Sequence, residues 1–195
     1  MKILIAVPTF ETIMPETFKS IYGMRASKYG PLFDFVKGYD CAKARNEIAK
    51  EAIAAGFDYV LMIDSDVVAP NDTLERFLEY PADIVIGLCP RKNTKEKRCE
   101  IYRLGAESFR DFYTYADMPE APRLVIKGGG LACALIKTEV FQRLKYPYFK
   151  YVEYENGESL SEDLYFCSKA AEAGITIQAD TRVRCGHAAR FFQYE

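Results

Sequence analysis

Short apolar runs alternate with longer amphipathic stretches through the first half of the chain. The apolar runs predicted as strands are residues 3–7, 32–36, 59–63 and 84–88. The amphipathic stretches predicted as helices are residues 15–24, 41–55 and 71–79. A continuous apolar run suits a strand covered on both faces, and strands that alternate with helices pair in parallel. The pattern therefore predicts an α/β fold with a doubly wound, mainly parallel sheet, which is a Rossmann-like architecture.

The second half of the chain is less regular. Strands are predicted at residues 124–127, 131–136, 175–179 and 183–185, and helices at residues 138–144 and 161–173. Since no internal repeat, low-complexity run or linker divides the sequence, residues 1–195 are interpreted as a single domain with two lobes.

A basic stretch at residues 90–100 contains Arg91, Lys92, Lys95, Lys97 and Arg98. The simpler interpretation, which we favour, is a solvated loop. The functional alternative is a mobile flap over a ligand that carries phosphate groups.

The overall composition narrows the class of function. Hydrophobic residues make up 49% of the 195 residues and the net charge is −2, so no strong positive field favours nucleic acid. The N-terminal apolar run ends at Pro8 and is too short for a signal peptide, and no window is long enough for a transmembrane helix, so we expect a cytoplasmic protein. The six cysteines include no Cys-x-x-Cys pair, which argues against zinc and favours buried thiols.

The strand at residues 59–63 ends in two carboxylates, Asp64 and Asp66, with Ser65 between them. Open α/β sheets bind ligands at the carboxyl ends of their strands, which is where these carboxylates are expected. Two acidic groups this close repel each other unless a cation or ligand donors neutralise them, and oxygen ligands suit Mg²⁺ or Mn²⁺. The alternative is a polar turn in which Asp66 is solvated.

Three further sites combine polar chemistry with a structural alternative. Arg45, on the second predicted helix, is either a solvent-facing charge or a group that reaches a phosphate or carboxylate. Glu162 and Asp163 open the last helix, where Ser159 and Glu162 match a capping box and leave Asp163 free. His187 is the only histidine and follows a predicted strand and a glycine, which favours a loop position from which imidazole can bind a metal.

Glycine occupies three consecutive positions, 128–130, before a predicted strand. Glycine permits backbone conformations and close ligand approach that other residues prevent. Gly129 and Gly130 are therefore candidates for contact with a substrate.

The order of these motifs resembles that of a glycosyltransferase of the A-type fold, of the family-two kind. The resemblance rests on Val7-Pro-Thr9, Ala44-Arg-Asn46, residues 59–66 followed by Val67 and Pro70, glycines 128–130, Glu162-Asp163 and Cys185-Gly-His187. The motifs span nearly the whole chain. The resemblance implies a nucleotide-binding half at residues 1–100 and an acceptor and catalytic half at residues 101–195.

The resemblance also implies a role for each candidate residue. Nucleotide binding would involve Pro8, Thr9, Glu11, Arg45, Asp64 and Ser65, with Asp64 on the ribose. The metal, Mn²⁺ or Mg²⁺, would be held by Asp66 and His187 with Asp64 nearby. Gly129, Gly130 and Glu162 would contact the donor or acceptor sugar, and Asp163 would be the catalytic base of an inverting enzyme.

The function implied is metal-dependent transfer of a sugar from a nucleotide-diphosphate sugar to a hydroxyl of a carbohydrate or another acceptor. The chain departs from the family pattern because no acceptor lobe follows His187, and the usual acidic residue after the second strand is ambiguous between Asp34 and a lysine at position 37. One alternative is a phosphatase of the haloacid dehalogenase type with Asp64 as nucleophile, although the acidic strand is not the first. Another is a non-catalytic protein that binds nucleotide sugars.

Overall fold

The structure, a computed structural model, describes residues 1–38, 40–80, 82–91, 98–105, 109 and 111–188. The strands are β1 (Ile3–Thr9), β2 (Leu32–Lys37), β3 (Tyr59–Ile63), β4 (Val67–Val68), β5 (Ile84–Leu88), β6 (Arg98–Tyr102), β7 (Phe112–Thr114), β8 (Arg123–Ile126), β9 (Gly128–Gly129), β10 (Cys133–Lys137), β11 (Val152–Glu153), β12 (Ser159–Leu160), β13 (Ile177–Arg184) and β14 (Gly186–His187). The α-helices are α1 (Pro15–Tyr22), α2 (Cys41–Ala54), α3 (Thr73–Glu79), α4 (Thr138–Arg143) and α5 (Glu162–Glu172), and a short 3₁₀ helix spans Ser27–Tyr29.

The main sheet has seven strands in the order β2-β1-β3-β10-β5-β13-β8. Strands β2, β1, β3, β5 and β13 run in one direction, while β10 and β8 run against them. The mainly parallel, doubly wound α/β sheet predicted from the sequence is therefore confirmed. The first half of the chain supplies four of the five co-directional strands, and a helical crossover follows β1, β2 and β3, as parallel pairing requires.

The antiparallel position of β10 is the main difference from a simple alternating fold. This strand lies at the centre of the sheet, with Cys133 opposite Ile63 of β3. Because β10 begins where β3 ends, the glycines that precede it reach the same edge of the sheet as Asp64.

The last part of the chain differs from its predicted strands. Residues 175–179 and 183–185 were expected as two strands, whereas one strand, β13, runs from Ile177 to Arg184 with an irregularity between Asp180 and Arg184. Asp180 is buried inside that strand, and its ion pairs with Arg123 and Arg182 explain how the charge is accommodated there.

Apolar layers cover both faces of the main sheet. Alternate residues of β1 point to opposite sides, with Leu4 and Ala6 in one layer and Ile3, Ile5 and Val7 in the other. Helices α2, α4 and α5 contribute to the first layer, and α1 and α3 contribute to the second. Helix α2 begins at Cys41, as predicted. Its N-cap residue is Asp40, whose side chain accepts a hydrogen bond from the Lys43 N–H at 2.7 Å.

Two of the smaller sheets adjoin the carboxyl edge of the main sheet. Strand β14 pairs with β4, so that His187 lies opposite Val67, directly after the Asp-x-Asp motif. Strand β6 pairs with β7 and β9 and thereby holds the glycines at 128–129. Among the described helices none is long and apolar enough to cross a membrane.

Candidate active site

A cleft of about 310 Å³ opens at the carboxyl edge of the sheet. It is lined by Pro8, Thr9, Phe10, Asp40, Cys41, Ala44, Asp64, Ser65, Asp66 and His187. These residues come from the end of β1 and the loop after it, the loop after β3, the start of α2, and β14. Most residues expected to bind the nucleotide and metal thus meet in one cleft, whereas Glu11 is exposed and lies outside its lining.

Backbone hydrogen bonds fix the shape of the acidic loop. The Asp64 N–H donates to the carbonyl oxygen of Ala132 at 2.9 Å, and the Val67 N–H donates back to the Asp64 carbonyl at 3.0 Å. The Asp66 carbonyl accepts from the Ala188 N–H at 2.8 Å. The loop is therefore held from both sides, by the start of β10 and by the segment after His187.

Arg45 lies behind the cleft, and its side chain is only 1% exposed. Its Nη2 donates to Asp64 Oδ1 at 2.8 Å, and its Nη1 donates to Glu162 Oε1 at 3.0 Å and to Asp163 Oδ1. The interpretation as a solvent-facing charge is therefore wrong. Of the two partners expected for Arg45, a carboxylate or a phosphate, the structure has carboxylates.

The charge of this buried arginine is maintained by its partners. Burial alone would lower the pKa of Arg45, but the carboxylates of Asp64 and Glu162 outweigh it and raise that pKa above its usual value. A permanently charged guanidinium at this point keeps three carboxylates together that would otherwise repel one another.

The start of α5 is arranged differently from the predicted capping box. Ser159 belongs to β12, and the helix is capped by Ser161, whose hydroxyl accepts from the Leu164 N–H at 3.4 Å. Glu162 points to Arg45, because a buried guanidinium is a stronger partner for a carboxylate than a backbone N–H at the helix end. Asp163 Oδ2 accepts from the Leu131 N–H at 3.1 Å.

Asn46, beside Arg45 in the sequence, has a structural role. Its side-chain oxygen accepts from the N–H groups of Tyr148 and Phe149, and its amide donates to the carbonyls of Ala42 and Phe149. The side chain therefore fastens the segment that leads to the β11–β12 hairpin and α5.

The three consecutive glycines serve different purposes. A Cβ on Gly128 would lie 2.7 Å from Cys167 Cβ, and one on Gly129 would lie 2.6 Å from the Glu100 carbonyl oxygen, so these two glycines allow close packing within the protein. A Cβ on Gly130 would lie 3.1 Å from Glu100 Cβ and 3.8 Å from Asp163 Oδ2. Of the two glycines expected to face a sugar, Gly130 is the one beside the candidate base.

The residues around the cleft fit a divalent cation. Asp64, Asp66 and His187 line the cleft together, and Nδ1 of His187 is buried without a hydrogen-bond partner in the described part of the chain. No group of three or more His, Cys, Asp or Glu side chains among the described residues is arranged to hold a metal by itself. Mg²⁺ and Mn²⁺ are often bound by one or two carboxylates together with substrate phosphates, so this incomplete set is compatible with a metal that arrives with a diphosphate.

Cys41 lines the cleft but is not a candidate nucleophile. Burial raises the pKa of its thiol to about 12, and the opposing effect of Arg45 does not offset it. The other five cysteines are buried, and all six are free thiols, as the sequence suggested.

The basic stretch between β5 and β6 is only partly described. Lys92, Lys95 and Lys97 lie outside the described residues, so the interpretation of that part as a solvated loop or a flap remains a prediction. Arg98 and Glu100, at the end of the stretch, belong to strand β6 and not to a loop. At its described ends, Arg91 Nε lies 3.4 Å from Glu100 Oε1, and the guanidinium of Arg98 stacks on the Phe112 ring at 3.3 Å.

A second hollow, of about 580 Å³, lies at the opposite edge of the sheet, where β3 begins. Its lining includes Asp58, Lys137, Thr138 and Glu139. Open α/β sheets bind ligands at the carboxyl ends of their strands, which favours the smaller cleft as the functional one.

Comparison with known proteins identifies the fold. No protein-family model matches the sequence, and no curated protein matches it. The structure of A197 from STIV superimposes with a TM-score of 0.65 at 18% identity, and the match covers 100% of both chains. GalNAc-T7, solved with UDP, GalNAc and Mn²⁺, gives a TM-score of 0.64 at 10% identity over 97% of this chain. The chain has the glycosyltransferase A-type fold.

A third structure supports the same fold. A Drosophila β1,4-galactosyltransferase 7 variant in complex with manganese, UDP-Gal and xylobiose gives a TM-score of 0.52 at 16% identity over 92% of this chain. The chain spans only 43% of the GalNAc-T7 chain and 64% of the Drosophila chain, whereas it spans all of A197. The sequence identities are low, so the likeness establishes the fold alone.

Sequence reasoning missed two residues near the candidate base. Glu100 on β6 lies beside Gly130. Tyr151 is half-exposed, and partial desolvation together with the charge of Glu162 raises its pKa. Neither residue belongs to a motif. Glu100 is the last residue of the basic stretch that the sequence predicted as a loop, and its position depends on the pairing of β6 with β9.

Proposed function

We propose that the chain is a metal-dependent glycosyltransferase that moves a sugar from a nucleotide-diphosphate sugar to a hydroxyl of a carbohydrate or another acceptor, with inversion. The observation that carries this proposal is the single buried guanidinium of Arg45, which joins Asp64 in the cleft to Asp163 at the start of α5. The Arg45 guanidinium thereby binds both the proposed nucleotide-binding carboxylate, Asp64, and the proposed base, Asp163.

The nucleotide end of the cleft is assigned to the first half of the chain. Pro8, Thr9 and Ser65 line the cleft around Asp64, and Thr9 Oγ1 donates to the Thr12 carbonyl at 2.9 Å, which shapes the loop after β1. Asp64 Oδ1 accepts the hydrogen bond from Arg45, so in this proposal Asp64 Oδ2 accepts a hydrogen bond from a ribose hydroxyl. In this proposal Arg45 acts on the nucleotide through Asp64.

Asp66 and His187 are the residues that would hold the cation. They line the same cleft, and the pairing of β14 with β4 brings His187 beside the acidic loop. A bound Mn²⁺ or Mg²⁺ would act as a Lewis acid that stabilises the negative charge developing on the leaving diphosphate.

Asp163 is the proposed general base. The oxygen of the acceptor hydroxyl forms a bond to the anomeric carbon, the bond from that carbon to the diphosphate oxygen breaks, and the hydroxyl proton passes to Asp163 Oδ2. The Arg45 guanidinium and the Leu131 N–H both stabilise the carboxylate form, which a base requires. Oδ2 accepts one protein hydrogen bond and retains a second lone pair for the substrate.

The test is an activity screen of the purified protein with a panel of nucleotide sugars and hydroxyl acceptors, with Mn²⁺ or with a chelator. Sugar transfer, or slow donor hydrolysis, that requires Mn²⁺ is the expected result. Each product is identified by mass spectrometry, and a simple phosphomonoester is included in the same panel. Release of phosphate from that ester would instead support the haloacid dehalogenase alternative, and saturable donor binding without turnover would support a binding protein.

A further inference from the structure

Glu100 lies beside Gly130, as the candidate base Asp163 does, without belonging to any predicted motif. Its backbone carbonyl accepts the Gly130 N–H at 2.7 Å, which fixes β6 against the glycine segment. A Cβ placed on Gly130 would lie 3.1 Å from Glu100 Cβ, 3.7 Å from Glu100 Cγ and 3.8 Å from Asp163 Oδ2. Gly130 therefore lies beside both acidic side chains, in contact range of the aliphatic part of Glu100 and of a carboxylate oxygen of Asp163.

The Glu100 side chain is held in place and remains accessible. The Tyr102 hydroxyl donates to Glu100 Oε2 at 2.6 Å, and Arg91 Nε lies 3.4 Å from Oε1. Tyr102 is itself buried, and burial raises its pKa, so its hydroxyl stays protonated and keeps donating. Glu100 remains 28% exposed, and each of its oxygens has one partner among the described residues, which leaves a further acceptor position.

This combination is suited to binding a sugar hydroxyl. A carboxylate fixed by neighbouring donors accepts a hydrogen bond from a ring hydroxyl without first losing side-chain freedom. Hydrogen bonds to an ionised group are stronger than those between neutral groups, and a missing hydroxyl leaves the carboxylate unpaired. Such a group discriminates between sugars that differ at one hydroxyl.

We propose that Glu100 is a specificity-determining residue that accepts a hydrogen bond from a ring hydroxyl of a sugar held over Gly130, beside Asp163. The proposal rests on the proposed glycosyltransferase function. The sugar belongs either to the donor or to the acceptor, since both meet at the base, and the experiment below separates these two sources.

The first experiment measures binding by calorimetry in Mn²⁺ for the parent, Glu100→Gln and a control, Glu51→Gln, whose side chain is exposed on α2. The probes are UDP, UDP-glucose and UDP-galactose. If Glu100 binds the donor sugar, Glu100→Gln weakens binding of a UDP-sugar about 10- to 100-fold and leaves UDP unchanged. If Glu100 binds the acceptor sugar, all three affinities stay as in the parent, and the KM for the acceptor rises by a similar factor in the transfer assay.

A thermodynamic cycle then tests for direct contact. Monodeoxy analogues of the affected sugar are measured against the parent and Glu100→Gln. Loss of the contacted hydroxyl is expected to lower the affinity of the parent for the sugar about 10-fold or more, and to lower the affinity of Glu100→Gln much less. Tyr102→Phe removes the donor that orients Glu100 and is expected to give a smaller effect of the same kind.

Two outcomes contradict the inference in different ways. If the parent transfers sugar and Glu100→Gln matches it in donor affinity, acceptor KM and choice among deoxy analogues, Glu100 has no role in specificity while the proposed function stands. If the parent neither binds nor turns over any nucleotide sugar, the proposed function fails and this inference fails with it. A thermal unfolding curve for each variant confirms that it is folded before its affinity is compared.

Discussion

The guanidinium of Arg45 lies 2.8 Å from the carboxylate of Asp64, on a side chain that is 1% exposed. The same guanidinium binds Glu162 and Asp163, which lie more than a hundred positions later in the chain. Removing one partner of a buried ion pair leaves the others uncompensated, so this contact carries both stability and site geometry.

We predict that Arg45→Met lowers the free energy of unfolding by about 3–5 kcal/mol, because three carboxylates then share a buried site without a cation. Urea titration measures this as a lower transition midpoint. Arg45→Lys keeps the charge but loses the planar fork, and its midpoint is expected to lie between those of the parent and Arg45→Met. Arg25→Met is the control, since Arg25 is an exposed partner of Asp72 and Glu75 and should cost no more than about 1 kcal/mol. Equal midpoints for Arg45→Met and the parent would contradict the buried network.

Metal dependence is the prediction for Asp66. A nucleotide diphosphate should bind more tightly with Mn²⁺ than with a chelator. The Asp66 carboxylate and the diphosphate are both negatively charged and repel each other unless a cation lies between them. Asp66→Ala should abolish the difference between the two conditions, as measured by calorimetry. Equal affinity of the parent with chelator and with Mn²⁺ would show that Asp66 holds no metal.

His187 should contribute to the same cation. Its Nδ1 is buried without a partner in the described part of the chain, a state that a bound ligand would relieve. His187→Ala is expected to weaken Mn²⁺ binding at least about 10-fold in a titration that follows Mn²⁺ by electron paramagnetic resonance, while the thermal midpoint stays close to that of the parent. Should the variant titrate Mn²⁺ like the parent, His187 is only a residue of the β14–β4 pair.

Asp163→Asn should separate catalysis from binding. The rate of transfer is expected to fall by about 10²–10⁴, the usual contribution of a general base, while donor affinity is retained. The asparagine oxygen can accept from Arg45 or from the Leu131 N–H but not from both through separate oxygens, so the variant should also be slightly less stable. Asp83→Asn is the control, because Asp83 pairs with Lys137 at the opposite edge of the sheet. Near-parental transfer by Asp163→Asn would eliminate Asp163 as the base.

The thiol of Cys41 should react slowly although it lines the cleft. With a pKa of about 12, its thiolate fraction at pH 8 is about 10³-fold below that of an ordinary cysteine. Alkylation by iodoacetamide should therefore be slow and should accelerate about tenfold per pH unit below the pKa. Peptide mapping by mass spectrometry measures the rate, with glutathione and the urea-unfolded protein as references. Labelling of folded Cys41 at the glutathione rate at pH 8 would contradict its burial.

The sequence by itself determined the local elements and the position of the acidic motif. The helix that begins at Cys41 and the strand of residues 59–63 agree with the structure, because each depends on apolar periodicity and on a few neighbouring residues. Because parallel strands place their carboxyl ends at one edge of a sheet, the sequence also predicted that the loop after β1 and the Asp-x-Asp motif lie close together.

Tertiary structure alone decided how the second half of the chain completes the cleft. An antiparallel strand at the centre of the sheet brings Gly130 to the edge where Asp64 lies, and the pairing of β6 with β9 sets Glu100 beside it. From the sequence, Arg45 is either a solvent-facing charge or a group that reaches a phosphate or carboxylate, and its burial against Glu162 and Asp163 depends on how α5 packs. These arrangements depend on contacts between residues far apart in the chain. Periodicity over a short window carries no information about which distant strand or charge a residue will meet.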